Sequence, residues 1–444
     1  MKGSTDLIAA IATPQGIGAV SVIRLSGPGL LEALDKVLVM KSSLAARARQ
    51  MCLGRMKSLD SGRIIDEVLA AYFPGPNSFT GEDCAEIQGH AGPIVPKLVL
   101  ESVLKAGARL AGPGEFTQRA FLNNRLSLDQ AEAVAELVAA QSQSEAVLAA
   151  RQLAGALKDF IDPISERLMS LSVSLTAILD FEEPWGGPEK ARLADSLDRL
   201  QKSLEHLLAL RKSGRIFREG LKLVLAGPPN SGKSSLFNAL LGLDRALVSP
   251  RPGTTRDYLE AAVSWDGLRV ELVDTAGLWE NSLDELDRLG QDRTRQQMGQ
   301  ADLIVWLRDL TSLKPPPVPD LDIPVLEVFT KADLAQKPGL NPSALTVSSK
   351  TAQGLDRFKD EALKLLGLSS RKTPELVPNL RHQKALEETY LFVSAAQKAL
   401  SQGLPPDIVS LELSSAQKSL GQITGRVMTE DLLKEVFSRF CVGK

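Results

Sequence analysis

The sequence predicts a multidomain protein: an N-terminal α+β domain, a discontinuous α-helical domain, and an α/β domain with a mostly parallel sheet inserted between the two halves of the helical one. Three changes of texture along the chain predict it. From Asp6 to about Leu122, short β-branched runs such as Ala19 to Leu25 alternate with Gly/Pro turns and amphipathic stretches such as Leu30 to Val39. From Ser127 to Lys212, turn residues thin out and apolar residues recur at helical spacing. Leu128, Ala131, Val134, Ala135 and Val138 form one such face. From Glu219 to Gly367 the pattern becomes strand, glycine turn, helix, strand, and after Val377 helical texture returns.

Each element follows from these patterns. The runs Leu221 to Ala226, Val270 to Val273, Leu303 to Leu307 and Val325 to Phe329 are continuously apolar, as strands of a parallel sheet covered on both faces must be. Pro184, Gly186, Gly187 and Pro188 interrupt the first helical stretch, so at least two long helices are expected there. A shorter strand is expected at Leu345 to Val347, and Pro315 to Pro319 reads as a surface loop. The expected boundaries are 1–122, 123–216, 217–369 and 370–444, the second and fourth segments forming one helical domain. A length of 444 residues suits roughly three domains.

Composition narrows the functional classes. The net charge is −2, so the chain lacks the global positive field that drives non-specific nucleic-acid binding, and any RNA contact must be local. Cys52, Cys84 and Cys441 are too few and too scattered for a disulfide framework, and no pair has zinc-ligand spacing. Pro14, Gly16 and Gly18 interrupt the apolar stretch Leu7 to Ala12 short of a signal-peptide core. The uncharged run Leu168 to Leu179 is too short to span a bilayer core of about 30 Å. A cytoplasmic protein without membrane attachment is therefore expected. His90, His206 and His382 are dispersed and suggest no metal centre.

The chemistry is concentrated in the inserted domain. GPPNSGKS, Gly227 to Ser234, follows an apolar strand and opens the apolar helical stretch Ser235 to Leu241, which is the context of a phosphate-binding P-loop. Amides of Asn230, Ser231, Gly232, Lys233, Ser234 and Ser235 would face phosphates, Lys233 would reach the β and γ phosphates, and Ser234 would offer its hydroxyl to magnesium. DTAG (Asp274, Thr275, Ala276, Gly277) ends the strand Val270 to Val273. Its carboxylate would hold magnesium through water, and the Gly277 amide would meet a γ phosphate. GTTRD, Gly253 to Asp257, places Thr255 to complete the magnesium shell when a γ phosphate is bound. TKAD (Thr330, Lys331, Ala332, Asp333) follows another strand, where a fixed carboxylate accepts two donors from guanine and finds no matching pair on adenine. Ser348, Ser349 and Lys350 read as the last base-contacting loop. These motifs together predict GTP binding.

Beyond the nucleotide motifs, IATPQGIGAVSVIRLSGP (Ile11 to Pro28), SFTGEDCAEIQGHAG (Ser78 to Gly92), GEFTQRAFLNNRLSLDQAEAV (Gly114 to Val134) and FCVGK (Phe440 to Lys444) resemble the tRNA-modification GTPase MnmE (TrmE) family over essentially the full chain. The resemblance implies a homodimer joined through N-terminal domains, with a P-loop GTPase domain whose hydrolysis gates a reaction shared with the flavoprotein MnmG in a heterotetramer. That reaction would install an aminomethyl-type group on carbon 5 of the wobble uridine of certain tRNAs, with carbon from 5-formyl- or 5,10-methylene-tetrahydrofolate. It implies folate binding by Arg24, Glu86, Arg125 and Lys444, where two cations suit the glutamate carboxylates and a carboxylate suits the pterin donor edge. Arg125 stands where the family has Lys.

The position after DTAG, where many small GTPases carry a water-orienting Gln, is Leu278 here. The resemblance implies instead a potassium ion in place of an arginine finger, held by Asn230 and by oxygens of Ser249, Arg251 and Thr254. It implies a water-orienting acid in DRLG, at Asp287, with Glu285 as the second candidate. Thr330 replaces the family's Asn, its hydroxyl still able to brace the P-loop, and Trp279 replaces a usual Arg. Cys441, at an apolar chain end, reads first as a small buried hydrophobe. The reading from another class is a regulatory GTP switch of the ribosome-assembly type, which would bind RNA or protein without modification chemistry.

Overall fold

The computed structural model describes residues 6–180, 186–243, 259–274, 299–312, 322–334, 344–368, 373–438 and 440–443. The chain forms two compact units. One comprises Met1–Val138, Gln152–Lys202 and Lys384–Lys444, and the other Ala139–Arg151 and Ser203–Gln383.

The first unit opens with a seven-stranded sheet built from β1 (Ile8–Ile11), β2 (Val20–Ser26), β3 (Leu38–Met40), β4 (Cys52–Lys57), β5 (Ile64–Phe73), β6 (Cys84–His90) and β7 (Arg109–Leu110). Its order is β3-β4-β5-β6-β2-β1-β7, antiparallel except for the β1–β7 pair. The period-two alternation of the strands divides their side chains between two faces. On one face Ile23, Leu25, Met56, Val68 and Ile87 pack under α1 (Leu30–Val37) and α2 (Val95–Lys105). On the other, Ile8, Ala10 and Ala111 meet Phe116 of α3 (Glu115–Leu122). The amphipathic stretch Leu30 to Val39 is therefore split, because its last residues leave the helix to pair with β4 as β3.

The helical part of this unit contains α4 (Leu128–Ala139), α6 (Ala156–Asp180), the first half of α7 (Gly187–Glu219), most of α10 (Leu380–Ser401), α11 (Pro406–Thr424) and α12 (Glu430–Ser438). Chain-distant segments meet in it: Phe121, Leu128 and Ala131 form one core with Leu433, Val436, Phe437 and Phe440. α6 packs along α11, and beyond it Arg426 reaches back to Asp162 at 3.0 Å. No helix among the described residues is long and apolar enough to cross a membrane.

The second unit is a five-stranded sheet of order β12-β11-β8-β10-β9, with β8 (Leu221–Ala226), β9 (Leu259–Trp265), β10 (Leu268–Asp274), β11 (Leu303–Asp309) and β12 (Val325–Thr330). All neighbours are parallel except β9 and β10, a hairpin turning at Asp266–Gly267. Leu223, Leu225, Val270, Leu272, Val305 and Val328 are buried between covering helices α8 (Lys233–Leu243) and α9 (Leu355–Leu365) and the segments flanking the sheet, which add Leu148 of α5 (Gln143–Leu153), Phe217 of α7 and Val377. The expected strand Leu345 to Val347 reduces to one bridge between Thr346 and Phe329, because only the two bonds from and to Phe329 form before the chain turns away at Ser348.

Candidate functional sites

The nucleotide motifs converge at the C-terminal ends of β8, β12 and β10, where a parallel sheet leaves its loops free to bind ligands. After Ala226 the chain turns sharply at Gly227, with φ of 146°. A Cβ built there would stand 2.5 Å from the Leu307 carbonyl oxygen, so only glycine permits β8 and β11 to lie this close. Asn230 has φ of 61° and Gly232 φ of 89°, both left-handed, which turns successive amides toward one side of the loop. Lys233 begins α8 with only 5% of its surface exposed, and its Nζ donates to the carbonyls of Gly227 (3.1 Å) and Pro228 (2.9 Å). The loop thus holds its own cation at its mouth. Asn230, Ser234 and Ser235 are exposed around it, whereas Ser231 is buried.

Thr330 ends β12, buried, and its hydroxyl donates to the Ser231 carbonyl at 2.7 Å, tying the base-side loop to the phosphate-side loop. Lys331, left-handed at φ 61°, reaches sideways to Asp309 at 2.6 Å. Burial works against the Asp309 carboxylate, but hydrogen bonds from Lys331 and Thr311 outweigh it and hold the carboxyl below its usual range. Asp333 is exposed, and its Oδ1 accepts the Ser348 hydroxyl at 2.7 Å. That bond, with the charge of Lys350 adding to it, lowers the Asp333 pKa and keeps the side chain an ionised acceptor. Ser349 and Lys350 continue this loop, Ser349 half-buried and Lys350 exposed. Asp274 is buried at the end of β10, beside Leu225 of β8 in register. Ser249, Arg251, Thr254, Thr255, Thr275, Ala276, Gly277, Leu278, Trp279, Glu285 and Asp287, like the loop Pro315 to Pro319, lie outside the described residues.

A second cluster lies on the seven-stranded sheet. Arg24 and Glu86 are cross-strand partners in the β2–β6 register, and both Nε (3.1 Å) and Nη2 (2.8 Å) of Arg24 donate to one carboxylate oxygen, Oε1. The pair is about one-quarter exposed. The Arg24 guanidinium lies 5.3 Å from the centre of the Phe79 ring and 5.9 Å from that of Phe116. Arg125 stands apart from this pair, exposed in the turn between α3 and α4 beside Gly81. Lys444 is outside the described residues, but its approach is fixed: Val442 bridges Pro113, and a Cβ on Gly443 would stand 2.5 Å from the Ile11 carbonyl. Cys441 is exposed rather than buried, because this extended segment docks through Phe440 and turns the next side chain outward.

Sequence reasoning missed an ionic network under this site. Arg119 is 2% exposed, and its guanidinium donates to Glu82 (3.0 Å), Glu115 (3.0 Å), the Asp6 carboxylate (2.9 Å) and the Asp6 carbonyl (2.8 Å). Arg109 adds a second cation on Glu115 at 2.7 Å. Burial pushes the Glu115 carboxyl up, but the bonds from Arg109, the Gly112 amide and Arg119 dominate and leave it lowered. The only local signal was the i, i+4 spacing of Glu115 and Arg119 in GEFTQRAF.

Comparison with known proteins gives the same picture along the whole chain. A family model described as the MnmE helical domain matches residues 128–441, and one described as the GTP-binding protein TrmE N-terminus matches residues 7–125. The tRNA modification GTPase MnmE of Methylibium petroleiphilum is 40% identical over 470 residues, covering 99% of this chain and 98% of its own. That of Syntrophus aciditrophicus is 38% identical over 462 residues, and that of Thermus thermophilus 40% over 439, each alignment covering 99% of both chains.

Proposed function

The chain belongs to the MnmE family of tRNA modification GTPases, and from that premise we propose that it uses potassium-dependent GTP hydrolysis to drive, with the flavoprotein MnmG, modification of carbon 5 of the wobble uridine in certain tRNAs. It is a GTPase that acts in tRNA modification. The group added is of the aminomethyl or carboxymethylaminomethyl type, its carbon supplied by a tetrahydrofolate carrier. The observation that carries this reading is the likeness over 99% of the chain, because a bare GTP switch would need no counterpart of the flanking regions.

In the GTPase domain, 217–369, amides of Asn230 through Ser235 bind the phosphates. Lys233 moves from its two loop carbonyls onto the β and γ oxygens. Asp333 accepts the two guanine donors, with Ser348, Ser349 and Lys350 closing over the base. Ser234 and Thr255 ligate magnesium, with Asp274 acting through water, and Asn230, Ser249, Arg251 and Thr254 hold potassium. The two cations supply positive charge to phosphate oxygens in the transition state. The exposed, left-handed Asn230 beside the loop mouth suits that role. Asp287 orients the attacking water.

In the N-terminal domain, 1–122, Glu86 takes the pterin edge, and Arg24, Arg125 and Lys444 take the carboxylates of the carrier. The half-open Arg24–Glu86 pair beside an exposed aromatic ring fits a flat, amphoteric ligand. Two copies join through these domains. Leu53 and Leu69, opposite each other in the β4–β5 register and 62% and 41% exposed, provide apolar surface for such a contact. Segments 123–216 and 370–444 form the helical domain, and the protein works in the cytoplasm. Mass spectrometry of tRNA nucleosides from a strain lacking the protein tests the reading. The wobble-uridine modification should disappear, and a normal profile would favour a regulatory switch.

A further inference from the structure

A cavity of about 490 Å³ lies within the first unit, between the α3–α4 turn, the start of α6 and the chain after α11. Its volume is in the range of about 300–1,000 Å³ common for small-ligand sites. Arg125, Lys158, Arg426 and Asp162 line it, with apolar walls from Phe121 and Met428. Asp162 is neutralised by Arg426 at 3.0 Å, and Arg426 also donates to Ser165. Arg125 and Lys158 have no side-chain partner among the described residues, so the cavity carries two uncompensated cations. The walls are set by close packing: a Cβ on Gly425 would stand 2.7 Å from the Phe121 ring.

This cavity is continuous with the Arg24–Glu86 cluster through one loop. Phe79 lies against Arg24, Thr80 receives the Asn123 amide on its carbonyl at 2.8 Å, and a Cβ on Gly81 would touch the Arg125 side chain at 3.2 Å. A ligand seated on Arg24 and Glu86 that extends past this loop therefore meets Arg125 first and Lys158 beyond it. We propose that the cavity is the subsite for the oligo-γ-glutamyl tail of the folate carrier, with Arg125 and Lys158 binding successive carboxylates and the apolar walls covering the methylenes between them. The inference rests on the folate reading of the Arg24–Glu86 site. A phosphodiester backbone fits less well, because RNA binding through phosphates needs cations repeated along an open track.

The test is isothermal titration of the full-length protein with 5-formyl-tetrahydrofolate as monoglutamate and as pentaglutamate, for the wild type and Lys158→Gln. The pentaglutamate should bind the wild type about tenfold more tightly, as one charge-assisted contact predicts, and in Lys158→Gln the two forms should bind within about twofold of each other. Equal affinities of both forms for the wild type would overturn the tail subsite while leaving the folate site standing. Binding of neither would remove the folate reading and this inference with it. A loss of tRNA affinity in Lys158→Gln with the pentaglutamate preference intact would assign the cavity to RNA and contradict the proposal.

Discussion

Thr330 shows how one substitution in a motif is absorbed by geometry. Its buried hydroxyl bonds to the Ser231 carbonyl, so the P-loop remains braced by the base-side loop although the side-chain amide of the family's Asn is absent. Thr330→Val keeps the shape and deletes the donor. Loss of one neutral hydrogen bond of about 1 kcal/mol should raise the dissociation constant for a fluorescent GTP analogue about fivefold, and an unchanged constant would show that the brace is unimportant. Asp333 makes a second prediction. Its pKa is lowered by the Ser348 hydroxyl, so its carboxylate persists as pH falls until the lowered value is passed. Without that hydroxyl the pKa rises, and guanine-nucleotide affinity in Ser348→Ala should fall away at a higher pH than in the wild type. Coincident pH profiles would contradict the role given to this pair. Both residues were legible as motif members, but their partners were not, since Thr330 and Ser231 are far apart in sequence and only the fold brings them together.

Among elements, those whose signal is local were readable. The apolar run Leu221 to Ala226 is β8 residue for residue, and Ala19 to Leu25 matches β2 within one residue at each end. The antiparallel edge strand β9 was not anticipated, because LEAAVSW has no continuous apolar run and owes its extension to pairing with β10. The docking of α3 on the sheet was equally hidden, since it depends on Arg119 meeting acids from three separate segments. Replacing a nearly fully buried cation leaves those carboxylates facing one another, so Arg119→Met should cost about 3–5 kcal/mol in chemical denaturation; a cost below about 1 kcal/mol would mean the network is dispensable. The pH dependence has a definite sign. Glu115 has a lowered folded-state pKa, so its contribution is complete above its ordinary value of 4.5 and is lost as pH falls through the lower folded value. Arg119→Met should flatten that acid limb.

At the scale of the molecule, the inserted α/β domain and its helical flanks were foreseeable because periodicity changes abruptly at Glu219 and again after Val377. The sheet order of the N-terminal domain was not, because β3-β4-β5-β6-β2-β1-β7 is set by long-range pairing that leaves no periodic trace. Nor could composition disclose the cationic cavity, since a net charge of −2 averages away Arg125 and Lys158. The account's central claim is that the P-loop, the guanine-reading Asp333 and Asn230 act together in potassium-stimulated hydrolysis. Steady-state GTP hydrolysis in potassium chloride against sodium chloride at equal ionic strength, with ATP as control, tests it most directly. Strong stimulation by potassium, confined to GTP, is the predicted result; equal and feeble rates in both salts would contradict it and leave a chain that binds GTP only as a switch.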